Sequence, residues 1–307
     1  MSKISADQLK QSVIDAAWTQ WRSLGSPVDA GRPATSVIDP EALLLLSLTL
    51  RDDERRLWDV LASWATSGSR LFSVQRAKNL LARFPGSARD RMAEFASIAS
   101  TGGRDSRWKS LAGPVPGPPV RNQALRKPVS NVWESAALIL RLRAGLGIGI
   151  TPDLLGFLVS IKGGWATVRT IADAMDYSPY SIRRVADNVA EAGLIESTHS
   201  KPVEYRAKID AWRHLLGLDR QLPEWRFWYQ VYCFVAHLID KIEGGGWDGL
   251  SPYLLSTQVR DLTEVHQEAL SLNQIEVSNP ADYPGEKYLP EFDHLISTLA
   301  RWISASV

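Results

Sequence analysis

A chain of 307 residues is long enough for two or three structural units, each with its own core. Hydrophobic residues at 45% and charged residues at 22% match ordinary globular usage, which excludes a disordered or fibrous protein. The net charge of +1 conceals a segregation: residues 70–143 carry fourteen Lys or Arg against Asp90, Glu94, Asp105 and Glu134, whereas residues 219–307 carry six against thirteen acidic side chains. That asymmetry points to a polyanion meeting the middle of the chain and not its end, the plain alternative being two differently charged solvated faces.

The longest apolar-rich stretch, Trp225 to Ile242, is broken by Arg226, Gln230, His237, Asp240 and Lys241, so no membrane contact is expected. The first residues lack the apolar core of a signal peptide. A single cysteine, Cys233, cannot form an internal disulfide, and a cytoplasmic location is expected.

Taken in chain order, the elements read as mainly α. Residues 1–100 form an N-terminal helical domain. Ser5 and Gln8 have the spacing of a capping box, Ile4 and Leu9 that of a hydrophobic staple, and Gly25 marks the end of the first helix. Leu9, Val13, Ala16, Ala17, Trp21 and Leu24 share one face of it. A second helix after Asp39 and Pro40 carries the run Leu43 to Leu46, apolar all round and therefore central. Asp52, Asp53 and Glu54 open a third that reaches about Ala65. The fourth, Ser73 to Phe84, turns Val74, Ala77, Leu80, Leu81 and Phe84 inward and Arg76, Lys78 and Arg83 outward. These short helices fit either a plain bundle or a second, degenerate helix-turn-helix. Residues 101–130 are a Pro/Gly-rich basic linker with a stiff core from Pro114 to Pro119 and solvent-facing Arg121, Arg126 and Lys127.

Residues 131–218 hold the most informative pattern. A helix from about Asn131 to Ala144 is followed by a glycine connector, Gly145 to Gly149, that lacks the spacing of a phosphate-binding loop. The next helix starts at Thr151 and Pro152, buries Leu154, Leu155, Phe157, Leu158 and Ile161, and stops at Gly163 and Gly164. Thr167 caps a short helix with Ile171, Ala172 and Met175 inward. Asp176 then occupies a turn position that favours a left-handed backbone. Ser178 caps a further helix with Pro179 at its first position and a stripe of Ile182, Val185, Ala186 and Val189. Leu194 to Thr198 reads as a strand, His199 to Pro202 as a turn, and Val203 to Ile209 as the returning strand.

The stretch from Thr167 to Ile195, above all its ending Ala190, Glu191, Ala192, Gly193, Leu194, Ile195, resembles winged helix-turn-helix transcriptional regulators of the bacterial ArsR and MarR type. The resemblance spans about sixty residues, 153–210, roughly a fifth of the chain; the metal and thiol sensor residues usual in those regulators are not visible. It implies that the helix from Ser178 to Ala192 enters a major groove with Ser178, Tyr180, Ser181, Arg183 and Arg184 projecting. Arg183 or Arg184 would then bind guanine, the hydroxyls would hold phosphates, and Asn188 would touch the backbone. His199, Ser200 and Lys201 at the wing tip would lie over a neighbouring minor groove or phosphate row. Winged helices also serve as structural modules, and residues 153–213 are electrically neutral, with eight basic and eight acidic side chains. The basic stretch from Arg70 to Arg143 would have to fold beside the module to supply the phosphate attraction that dominates such binding.

Residues 219–307 read as an acidic C-terminal helical domain. A helix from Pro223 to Ile242, rich in Trp225, Phe227, Trp228, Tyr232 and Phe234, should be buried or form a dimer seam, with a ligand cavity among Trp225, Trp228 and Tyr232 as a lesser alternative. Two more helices, about Pro252 to Leu272 and Pro290 to Ile303, follow. Cys233 and His237 share a helix face, but two ligands do not make a metal site, and His266 or His294 could complete one only through the fold. No metal or cofactor is expected, and no nucleophile elbow, Walker loop, zinc-protease or kinase signature points to an enzyme. The expectation is a sequence-specific regulator binding double-stranded DNA as a homodimer on a palindrome. The alternative is an interaction protein, antitoxin-like, whose acidic C-terminal domain holds a basic partner.

Overall fold

The computed structural model describes residues 3–28, 31–113, 132–218 and 222–307. Thirteen α-helices and one small antiparallel sheet are found among them. The helices are α1 (Lys3–Ser23), α2 (Pro40–Thr49), α3 (Arg55–Ser67), α4 (Val74–Leu81), α5 (Gly86–Thr101), α6 (Leu138–Leu146), α7 (Ile150–Ser160), α8 (Val168–Met175), α9 (Pro179–Glu191), α10 (Ile209–Leu216), α11 (Trp228–Glu243), α12 (Pro252–Leu272) and α13 (Tyr288–Ser306). The strands are β1 (Ala166–Thr167), β2 (Ile195–Ser197) and β3 (Glu204–Ala207), in the order β1-β3-β2. No described helix is long and apolar enough to cross a membrane. Of the expected linker 101–130, residues 114–130, including Arg121, Arg126 and Lys127, lie outside the described residues, whereas Ser106–Ser110 form a 3-10 turn that buries Trp108; the helix expected from about Asn131 begins as α6 only at Leu138.

Local chemistry accounts for most helix ends. Asp39 caps α2 by accepting from the Ala42 N–H, Glu54 caps α3, and Ser73 caps α4 through the Arg76 N–H. All ten residues of α2 are buried, as a helix apolar on every side requires. α1 differs from expectation: it begins at Lys3, so Ser5 lies inside its first turn and cannot act as the cap. Gly25 ends the chain reversal after it with φ 94°, which costs glycine no Cβ clash.

The larger core joins regions far apart in sequence. α1 lies along α13 and α2 along α11, and one continuous apolar cluster runs from Leu9 to Leu140 and from Trp228 to Ile303. The N-terminal and C-terminal helical regions, read as two flanking domains, therefore share a single interior. Three buried tryptophans are satisfied across this interior by serines: Trp21 Nε1 donates to Ser47 Oγ at 2.9 Å, Trp64 to Ser26 at 2.9 Å and Trp228 to Ser36 at 3.1 Å. α11 is interior to the chain, which removes the dimer seam as the reason for its aromatics. It starts at Trp228, so Trp225 and Phe227 precede it. Trp225 packs edge-on against Phe157 at 5.0 Å, while Trp228 and Tyr232 stack at 4.9 Å in the larger core. Trp225 thus packs on the smaller core, and Trp228 and Tyr232 belong to the larger.

The smaller core belongs to α7–α10 and the sheet, centred on Leu154, Phe157, Ile171, Met175, Ile182, Val189 and Tyr205. α6 straddles both, giving Leu140 to the larger core and Leu138, Ile139 and Leu142 to the smaller. A buried ion cluster fastens the two together. Arg143 pairs through Nε with Asp153 at 2.7 Å and through Nη1 with Glu41 at 2.6 Å, and Arg76 reaches Asp39 at 2.6 Å, Glu41 at 3.0 Å and the Met175 carbonyl at 3.0 Å. The Tyr177 hydroxyl donates to Asp153 at 2.7 Å. Burial alone would raise Glu41, but the Arg143 and Arg76 guanidinium groups outweigh it and hold the carboxyl below its ordinary range. Arg76, expected on the outer face of α4, is thus turned inward, because two buried carboxylates, Asp39 and Glu41, wait there.

Candidate nucleic-acid interface

The α8–α9 unit is built as its sequence dictates. Thr167 caps α8 through the Thr170 N–H. Asp176 adopts φ 54° and ψ 46°, and its N–H returns to the Ala172 carbonyl, which ends α8 and redirects the chain. Ser178 caps α9 by accepting from the Ser181 N–H, and Pro179 stands at its first position, where a missing N–H costs nothing. Ile182, Ala186 and Val189 anchor the inner face. β2 and β3 pair through Ile195 with Ala207 and Ser197 with Tyr205, and the Thr198 N–H and Oγ1 both bond Glu204 across the turn. A third strand escaped the sequence reading: β1 pairs Ala166 with Tyr205, and two residues are too few to show alternation. Ile209 starts α10 instead of extending β3.

The nine expected contact residues are all placed on the surface of this unit. Tyr180 is 78% exposed, and Arg183, Arg184 and Asn188 follow it on the outer face of α9. Ser181 is partly buried, and His199, Ser200 and Lys201 are exposed at the hairpin tip. The Ser178 hydroxyl is already committed, accepting from the Ser181 N–H and donating to Ser181 Oγ at 2.9 Å, which leaves the Ser181 O–H as the outward donor. Arg184 is in no ion pair among the described residues, whereas Arg183 Nε is 2.8 Å from Asp187 Oδ2. Asp187 also accepts from the Tyr205 hydroxyl. Burial would raise Asp187, but Tyr205 and Arg183 prevail and keep it below the usual carboxylate range. Tyr205 thus orients Asp187, which orients Arg183; this link between strand and helix was not legible, because residues eighteen apart meet only when the hairpin folds onto α9.

The basic middle of the chain is less free than its composition implies. Arg76 and Arg143 are buried, and Arg83 pairs with Asp176 at 2.5 Å, Arg91 with Asp52 at 2.5 Å and Arg107 with Asp105 at 2.6 Å. These charges are spent on the fold. The end of α4 faces the α8–α9 turn across a groove of about 470 Å³ lined by Asn79, Ala82 and Ser178. α4 therefore sits beside the unit, with Arg76 committed inward.

A second concavity of about 490 Å³ lies between α8, the end of α4, α11 and α12. Tyr229 crosses its floor, donating to the Asp173 carbonyl at 2.7 Å, and burial pushes its hydroxyl up to about 12. On its wall Cys233 and His237, which share a face of α11 as their spacing requires, both contact the Arg83 carbonyl, and His266 arrives from α12. His294, the other histidine considered from sequence, is exposed on α13 and stands apart. Burial pushes the Cys233 thiol up to about 12 and His266 down to about 4, so at neutral pH both are uncharged.

Comparison with protein-family models, with curated proteins and with solved structures gave no match.

Proposed function

We propose that residues 150–207 are a winged helix-turn-helix and that the protein is a sequence-specific DNA-binding regulator, reading duplex DNA through α9. The observation that carries this is the outer face of α9: Tyr180, Arg183, Arg184 and Asn188 are exposed among the described residues, while the opposite face is locked into the smaller core. Arg184 is the freer cation and suits a bidentate guanine contact; Arg183 is held in a defined orientation by Asp187. The exposed Lys201 and His199 at the hairpin tip suit a neighbouring phosphate row.

A neutral module with few cations makes few phosphate contacts, so one copy would bind weakly. Two copies on a two-fold symmetric site double the contacts, which is the reason to propose a homodimer on a palindrome. The reading is of a non-catalytic protein of the bacterial cytoplasm. Selection of duplexes from a randomised pool, followed by affinity titration across salt concentration, tests it. Enrichment of one motif is expected, with affinity falling as salt rises by about 0.9 log units per log unit for each phosphate contact. A pool with no enrichment and no salt-dependent binding would count against the proposal.

The second reading, an antitoxin-like interaction protein, is favoured by the internal consumption of the basic side chains and by the exposed Asp261, Glu264 and Glu268 on α12. Co-purification of a basic partner by a protein without affinity for DNA would support it over the first.

A further inference from the structure

We propose that Cys233, His237 and His266 bind one thiophilic divalent cation of the zinc class on the wall of the cleft between α8 and the α11–α12 pair. The donor atoms of the three side chains all lie within 4.8 Å of one another. A tetrahedral zinc ion with bonds of about 2.3 Å to sulfur and 2.0–2.1 Å to nitrogen separates its ligand atoms by roughly 3.3–3.6 Å. Closing the cluster therefore needs shifts on the order of an ångström, within reach of side-chain rotation.

Three further features point to a ligand. The residues come from two helices with no shared sequence motif, yet converge on one spot: Cys233 Sγ is 2.8 Å and His237 Nε2 is 2.9 Å from the Arg83 carbonyl. His266 is more than nine-tenths buried, and its ring is held beside those of Phe234 at 5.4 Å and His237 at 5.8 Å. The cleft of about 490 Å³ opens beside the cluster, leaving a fourth position for water or a small ligand. One sulfur and two imidazoles select zinc, cobalt or copper over magnesium or calcium. Binding converts the Cys233 thiol to a metal-bound thiolate and releases its proton to solvent.

The site draws on no part of the DNA-binding proposal, and its test is separate. Full-length protein stripped with a chelator is titrated with Co²⁺ and followed by absorption, then back-titrated with Zn²⁺. One equivalent per chain is expected, with a sulfur-to-cobalt charge-transfer band and the visible bands of four-coordinate cobalt, all removed by Zn²⁺. Cys233→Ser should abolish the sulfur band, and His266→Gln should weaken affinity at least tenfold, with circular dichroism showing both variants folded. A wild-type cobalt spectrum without the sulfur band overturns the proposal by itself, even where a variant fails to fold. Folded variants that bind cobalt like wild type would also overturn it.

Discussion

Glu41→Gln is expected to cost about 3–5 kcal/mol of stability, because it leaves two buried guanidinium groups short of a carboxylate. Glu41 is fully buried and receives Arg143, Arg76 and the Ser73 N–H. Glutamine keeps the shape but removes the charge and offers N–H donors where two cations already donate. The pH dependence has a definite sign. The folded carboxyl titrates below its ordinary value of 4.5, so its contribution is fully present above that pH and is lost as pH falls through the folded value. Urea unfolding at neutral pH should show the loss, and the acid-induced fall of the midpoint below about pH 4.5 should be shallower in the variant than in wild type. A loss under about 1 kcal/mol would mean that the cluster does not tie the smaller core to the larger.

Trp228→Ala should cost a similar amount, about 3–5 kcal/mol, for a different reason. Its indole is fully buried, stacks on Tyr232, meets Trp302 of α13 at 5.3 Å and donates to Ser36 near the start of the chain. Truncation opens a cavity and orphans a hydroxyl at the point where the N-terminal and C-terminal helices meet. Against a typical total of about 5–15 kcal/mol, that is a large share. A single calorimetric transition shifted as a whole is the expected outcome. Two transitions, only one of them moved, would refute the shared core.

What could be read from the sequence was what neighbours in sequence decide. Ser178 and Pro179 at the start of α9, Thr167 at the start of α8 and the left-handed Asp176 are local chemistry, and each is found where expected. The apolar stripe of α9 was legible because helical spacing alone places it, and the burial of α2 because its leucine run is apolar on every side. Arg76 was misjudged as outward-facing, and Arg143 was counted among the charges available to a polyanion, since nothing local announces that the fold supplies Asp39, Glu41 and Asp153 to them. α5 was missed within an expanse of small residues such as Ala88, Ala93, Ala96 and Ser97, whose periodicity is weak. Of the expected contact residues, exposure was legible but engagement was not. The Ser178 hydroxyl is consumed by its own cap and Arg183 by Asp187. His266 could not be joined to Cys233 from sequence, because only the packing of α12 on α11 brings them together.

The reading of α9 as a DNA-contacting helix is tested most directly by comparing wild type with Arg183→Ala, Arg184→Ala and the double variant in an anisotropy titration against the selected duplex. Both side chains are exposed, so the melting temperature should stay unchanged. Affinity should fall about tenfold or more for Arg184→Ala, and on the order of a hundredfold for the pair. A folded double variant that binds the same duplex as tightly as wild type would contradict the account.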